Sequence, residues 1–124
     1  MIDDLLYIQH ILTCVEKIQR HTRAGPEAFL SDDMVQDAVV RNLQVLAESS
    51  KRVSHAAQSL APDVPWRSMA GFRNIAVHDY LGLDLARIWD IVAVDLPVLQ
   101  ERLKDLKDKI ARRDPRGTVD PSNF

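Results

Sequence analysis

Between Gly71 and Tyr80 the chain places an arginine, an amide, an imidazole and a phenol close together, as Arg73, Asn74, His78 and Tyr80. A guanidinium keeps its charge at every cellular pH and presents a planar fork of donors suited to phosphate. An imidazole titrates near neutrality, so it can take or give a proton. Together these two groups suffice for metal-independent cleavage of RNA. A base draws the proton from the ribose 2′-OH, and that oxygen attacks the adjacent phosphorus. Arg73 offsets the charge that builds on the phosphoryl oxygens. The expected product is a 2′,3′-cyclic phosphate, and DNA, without the 2′-OH, should resist. This chemistry calls for no metal and no cofactor.

Spacing constrains the site. At 100° per residue, positions 73 and 78 of an ideal helix stand about 140° apart. They cannot converge on one regular face, whereas Asn74 and His78 share one. Two arrangements would bring Arg73 and His78 together. The helix could unwind near His78, or a two-fold axis could carry Arg73 of one chain towards His78 of another. Symmetric dimers are the commonest oligomers, and the chain has apolar helix face to spare. The bland alternative pairs Arg73 with a nearby carboxylate and leaves His78 to satisfy a helix end.

Other residues are weaker candidates. Arg41, Arg52 and Arg67, with Lys51, could line a groove for RNA, although solvated helix face is the simpler reading. Glu48 sits among apolar neighbours and suits a structural hydrogen bond or the edge of a cleft. Trp66 and Trp89 read as packing anchors rather than stacking platforms. His10 and Cys14 are four apart, but two ligands do not make a metal site. His21 and His55 stand alone.

The elements that must hold the motif are helical. Leu5, Ile8, Leu12 and Val15 form one stripe of a first helix, residues 3 to about 23, ended by Gly25-Pro26. A second starts near Ser31 or Asp32, either a suitable cap, and runs to about Leu60. Val35, Val39, Leu43, Leu46, Val53 and Leu60 line it. Small Ala47, Ser49, Ser50, Ala56 and Ala57 allow close approach of neighbours. Trp66 to about Val77 is a short third helix carrying the motif, with Gly82 as its stop. A fourth runs from Asp84 to about Arg113. Its seam is Leu85, Trp89, Val92, Leu96, Leu99, Leu103, Leu106 and Ile110. Pro97 must kink or restart it, and Asp95 would suit a restart as cap. No strand signal competes. The expected fold is an all-α, up-down bundle of four to five helices over residues 1–113, with a frayed tail at 114–124.

Composition sets the remaining bounds. The chain has 124 residues, enough for one core. Its net charge of −2 argues against broad, non-specific nucleic-acid binding, though not against a local basic patch. A single cysteine points to a reducing, cytoplasmic setting. An acidic N-terminus argues against a secretory signal. No apolar run is long enough to span a membrane.

The motif Arg73-x4-His78-x-Tyr80 resembles the signature of HEPN-domain ribonucleases, specifically the HepT-like toxins of bacterial toxin–antitoxin pairs. Further landmarks carry the resemblance: Ser31-Asp32-Asp33, Gln36-Asp37-Ala38-Val39, Glu48, Pro65-Trp66, Met69-Ala70-Gly71, Trp89 and Asp95-Leu96-Pro97. They span about Asp3 to Leu103. One departure is Ala47, where the family often has glycine. The resemblance implies a homodimeric endoribonuclease acting on RNA, with Arg73 and His78 catalytic and Asn74 supporting them. It implies a type VII-like pair whose partner is a minimal nucleotidyltransferase antitoxin. That partner moves AMP from ATP to the motif tyrosine, here Tyr80, and silences the nuclease. Bulk and negative charge two residues from His78 would repel a phosphate-bearing substrate. The alternative is a non-catalytic HEPN module that binds a nucleotide or a protein, with the Leu85–Ile110 seam as its contact surface.

Overall fold

The computed structural model describes residues 2–78 and 84–113, the side chains of residues 2 and 75–78 excepted. Tyr80, the expected stop at Gly82 and the tail at 114–124 lie outside the described residues. The elements run in order α1 (Ile2–His21), α2 (Pro26–Ser31), α3 (Asp33–Arg52), α4 (His55–Ser59), α5 (Trp66–His78) and α6 (Leu85–Asp90). A π turn (Ile91–Asp95) then leads into α7 (Leu96–Arg113). Among the described residues every regular element is helical, as the sequence pattern predicts.

The long helices α1, α3, α5 and α7 make the bundle. α3 packs between α1 and α5, and α1 packs on α7. Side-chain bonds give the directions. Asp4, at the start of α1, reaches Ser54, just past the end of α3. Lys107 donates to Gln9, and Gln19 and Gln100 exchange amide hydrogen bonds. α3 and α7 therefore both run antiparallel to α1.

The predicted stripes form the core. Leu5, Ile8, Leu12 and Val15 are buried, joined by Ile11 and Ile18. On α3, Val39, Leu43 and Leu46 are buried, and so are Ala47, Ser49 and Ser50, where helices come close. The seam from Val92 through Leu96, Leu99, Leu103 and Leu106 to Ile110 is wholly buried, with Leu85 and Trp89 packed against the core. It is covered from within the bundle, α1 being a principal neighbour of α7. The seam therefore offers no surface to another protein, which removes that support from the binding-module alternative.

Local chemistry explains where the helices begin and end. Gly25 has φ +97°, a conformation other residues avoid, and turns the chain out of α1. Pro26 then opens α2, a short helix that the periodicity does not announce. Its one buried side chain, Phe29, meets the Trp89 ring at 5.5 Å between centroids. Gln36 donates to the Phe29 and Leu30 carbonyls and so closes the end of α2. Asp32 caps α3 as expected, accepting from the Met34 and Val35 amides.

The second predicted helix does not reach Leu60 unbroken. It ends at Arg52, and a short α4 follows. The cause is Asp4, buried on α1. Its carboxylate accepts from the Ser54 backbone N–H at 2.7 Å and from the Ser54 hydroxyl at 2.8 Å. The same hydroxyl accepts from the Ala57 N–H at 3.1 Å and caps α4.

At Pro97 the predicted interruption takes the form of the π turn. The Leu96 N–H bonds the Ile91 carbonyl, five residues back. The widened turn accommodates a ring that would press on the preceding turn of an α-helix. Asp84 caps α6, accepting from the Arg87 amide.

Candidate functional site

α5 presents the motif. Met69 and Phe72 bury its inner face, which leaves Arg73 and Asn74 exposed on the outer side. Arg73 Nη1 lies 3.3 Å from Glu48 Oε1 on α3. The two side chains keep 50% and 47% of their exposure, so water screens the pair. Such a pair adds at most about 1 kcal/mol. The carboxylate expected of the bland alternative is therefore present, but its hold on Arg73 is weak. A phosphate can take its place at small cost.

Glu48 also lines an open cleft of about 390 Å³ between α1 and α3. Arg41, Gln44 and Arg52 continue the α3 side at helical spacing, and Tyr7 and His10 face them from α1. The Tyr7 and His10 rings meet edge to face, 6.4 Å apart at 80°. The Arg52 guanidinium carbon lies 5.8 Å from the centre of the Tyr7 ring, within cation–π range. Through Glu48, Arg73 stands at one edge of this cleft.

The predicted residues thus divide. Arg41 and Arg52 line the cleft, and Arg73 adjoins it. Arg67 is exposed on the first turn of α5 and does not line the cleft. α5 stays helical to its last residue, His78, so no unwinding before that point brings positions 73 and 78 onto one face. They stand about 140° apart around the axis. Trp66 is an anchor: its Nε1 donates to the Ala61 carbonyl at 3.0 Å. His10 and Cys14 part company, since His10 faces the cleft while Cys14 belongs to the core. Burial pushes the Cys14 thiol above its ordinary range, opposed by the charge of Lys17.

Sequence reasoning missed Tyr7 and weighed His10 only as half of a weak metal pair with Cys14. A signal was present, since an aromatic and an imidazole three apart share a helix face. What that face meets depends on how α1 docks on α3.

The model of the ribonuclease HepT-like family matches residues 11–106, a span holding α3, Glu48, the whole of α5 and the π turn. The chain belongs to that family. It is 35% identical over 102 residues to a protein of Thermococcus cleftensis named "Probable ribonuclease HepT", covering 82% of this chain and 93% of the relative. It is 30% identical over 104 residues to a "Putative RNase" of Caldanaerobacter subterraneus subsp. tengcongensis, covering 83% and 93%. A Methanocaldococcus jannaschii protein named "Gamma-glutamylcyclotransferase and putative RNase" is 29% identical over 109 residues, 87% of this chain and 49% of that protein. No solved structure matches the chain. Ribonuclease activity is thus the activity for which the HepT-like family is named. No described helix is long and apolar enough to cross a membrane.

Proposed function

We propose that this HepT-like chain is a metal-independent endoribonuclease, with Arg73 and His78 catalytic and Asn74 supporting them. The observation that carries this reading is Arg73 itself. It is an exposed cation at the edge of an open, arginine-lined cleft, and the partner it has among the described residues is a water-screened carboxylate. His78 takes the 2′-OH proton, the ribose oxygen attacks phosphorus, and the P–O5′ bond breaks as the leaving 5′-oxygen takes a proton from water. Arg73 offsets the charge on the phosphoryl oxygens.

With α5 helical through both positions, this reading has the two groups meet across a two-fold axis between copies. Exposed Val94 and Val98, with Pro65 and Phe72, give the chain an apolar groove of about 240 Å³ between α5 and α7 that a second copy would cover. By the same reading the protein is a cytoplasmic toxin of a type VII-like pair. A minimal nucleotidyltransferase silences it by moving AMP from ATP to Tyr80. Co-expression with such a partner should raise the mass of the Tyr80 peptide by AMP units; a silenced sample with that peptide unmodified removes this step.

The decisive experiment incubates purified protein with RNA in EDTA. Wild type yields 2′,3′-cyclic phosphate ends and leaves DNA intact. His78→Ala should lose about 10²–10⁴-fold in rate, and Arg73→Ala about 10²–10³-fold. A folded His78→Ala protein that cuts RNA as fast as wild type would refute the assignment.

A further inference from the structure

The cleft between α1 and α3 has features that the arginine–histidine chemistry does not require. Tyr7 and His10 lie before residue 11, where the match to the HepT-like family model begins. Yet Tyr7 is half-buried in the cleft wall with one guanidinium over its ring and a second, Arg41, farther along α3. Residues 41 and 52 are eleven apart, which spreads their charges over about 16 Å of helix. Among the described lining residues, Arg41 and Arg52, with adjoining Arg73, face one carboxylate, Glu48, which is already paired. The cleft is therefore locally cationic on a chain whose net charge is −2. Its volume of about 390 Å³ falls within the range of ligand pockets, roughly 300–1,000 Å³.

We infer that this cleft is a subsite for one unpaired nucleotide of the RNA, with the base stacked on Tyr7 and the phosphates on Arg41 and Arg52. Aromatic rings beside a cationic groove are how single strands are held, since every base offers a π-face. A nucleobase takes the place of the Arg52 guanidinium over the Tyr7 ring and frees that guanidinium for phosphate. His10, its ring nearly perpendicular to that of Tyr7, borders the stack. A base inside a duplex has no free face, so the subsite selects unpaired RNA. Glu48 joins the two places, because it lines the cleft and holds Arg73. A strand seated here has its next phosphate directed towards Arg73. The inference rests on the ribonuclease reading for its choice of RNA, but its test does not need cleavage.

That test measures binding of a short, fluorescent 2′-O-methyl oligoribonucleotide in EDTA, across a salt series, by anisotropy. The blocked 2′ position removes the nucleophile. Tyr7→Phe should bind within about twofold of wild type, and Tyr7→Leu about tenfold more weakly. Arg41→Ala and Arg52→Ala should each reduce the salt slope by about 0.7. A folded Tyr7→Leu protein that binds like wild type overturns the subsite, and so does a Tyr7→Phe protein that loses as much as Tyr7→Leu. If Tyr7→Leu fails to fold, unchanged salt slopes in both arginine variants overturn it instead. A change of assembly mass in any of these variants makes the cleft a contact between copies and also overturns it. If all binding results hold but unmodified RNA is never cut, the subsite stands and the nuclease proposal falls.

Discussion

At the residue scale, the ion pair between Arg73 and Glu48 governs how free the guanidinium is. A carboxylate 3.3 Å from the guanidinium competes with any phosphate for the same donors. It also keeps the side chain aimed at the α1/α3 cleft. Removing its charge should act in two directions. Glu48→Gln should tighten RNA binding by up to about fivefold, the worth of a screened surface pair. It should also slow cleavage, because Arg73 is then less well placed. Anisotropy with blocked RNA and single-turnover rates with natural RNA read the two effects separately. Unchanged affinity would mean that Glu48 does not compete with substrate. The motif itself was legible in the chain, because Arg73, Asn74 and His78 are close in sequence. Glu48 was legible only as a candidate, since its partner is 25 residues away on another helix. Tyr7 and His10 were legible only as neighbours on one helix face, because only the docking of α1 on α3 gives that face a role.

Helix types followed from apolar spacing, while several boundaries did not. The stripes on α1, α3 and α7 are short-range patterns, and the fold buries them as the spacing demands. The break after Arg52 has no local cause, since nothing from Val53 to Ala57 forbids a helix. It is imposed by Asp4, fifty residues earlier, which gives the Ser54 N–H a better partner than the helix would. Asp4→Ala leaves that N–H without its acceptor in a part-buried setting. It should cost about 1–3 kcal/mol of stability, measured by urea denaturation. It should also loosen the α1/α3 wall on which Tyr7 stands, so blocked-RNA binding should weaken with it. A stability loss below about 0.5 kcal/mol would show that Asp4 does not fix this break. Short α2 escaped notice for a related reason. Its one buried side chain, Phe29, gains a role only against Trp89, sixty residues on.

At the scale of the molecule, the helical course of α5 has a consequence that one experiment can test. Positions 73 and 78 stand about 140° apart on one unbroken helix. If each site draws Arg73 from one copy and His78 from the other, the two inactive variants should complement. A heterodimer of Arg73→Ala with His78→Ala has one site lacking both groups and one site that is intact. Random exchange makes half the dimers mixed, so about a quarter of wild-type activity should return on mixing. Copies that each hold a complete site can never recover, because each variant chain spoils its own. The variants should be mixed after brief unfolding and refolding, so that subunit exchange is complete. Val98→Glu, in the exposed groove between α5 and α7, should lower both the assembly mass and the activity of the wild-type background. Recovery with an unchanged assembly mass for Val98→Glu would keep the shared site and move the interface to another face. No recovery, in a sample shown by mass to contain mixed dimers, would place both groups of each site in one chain.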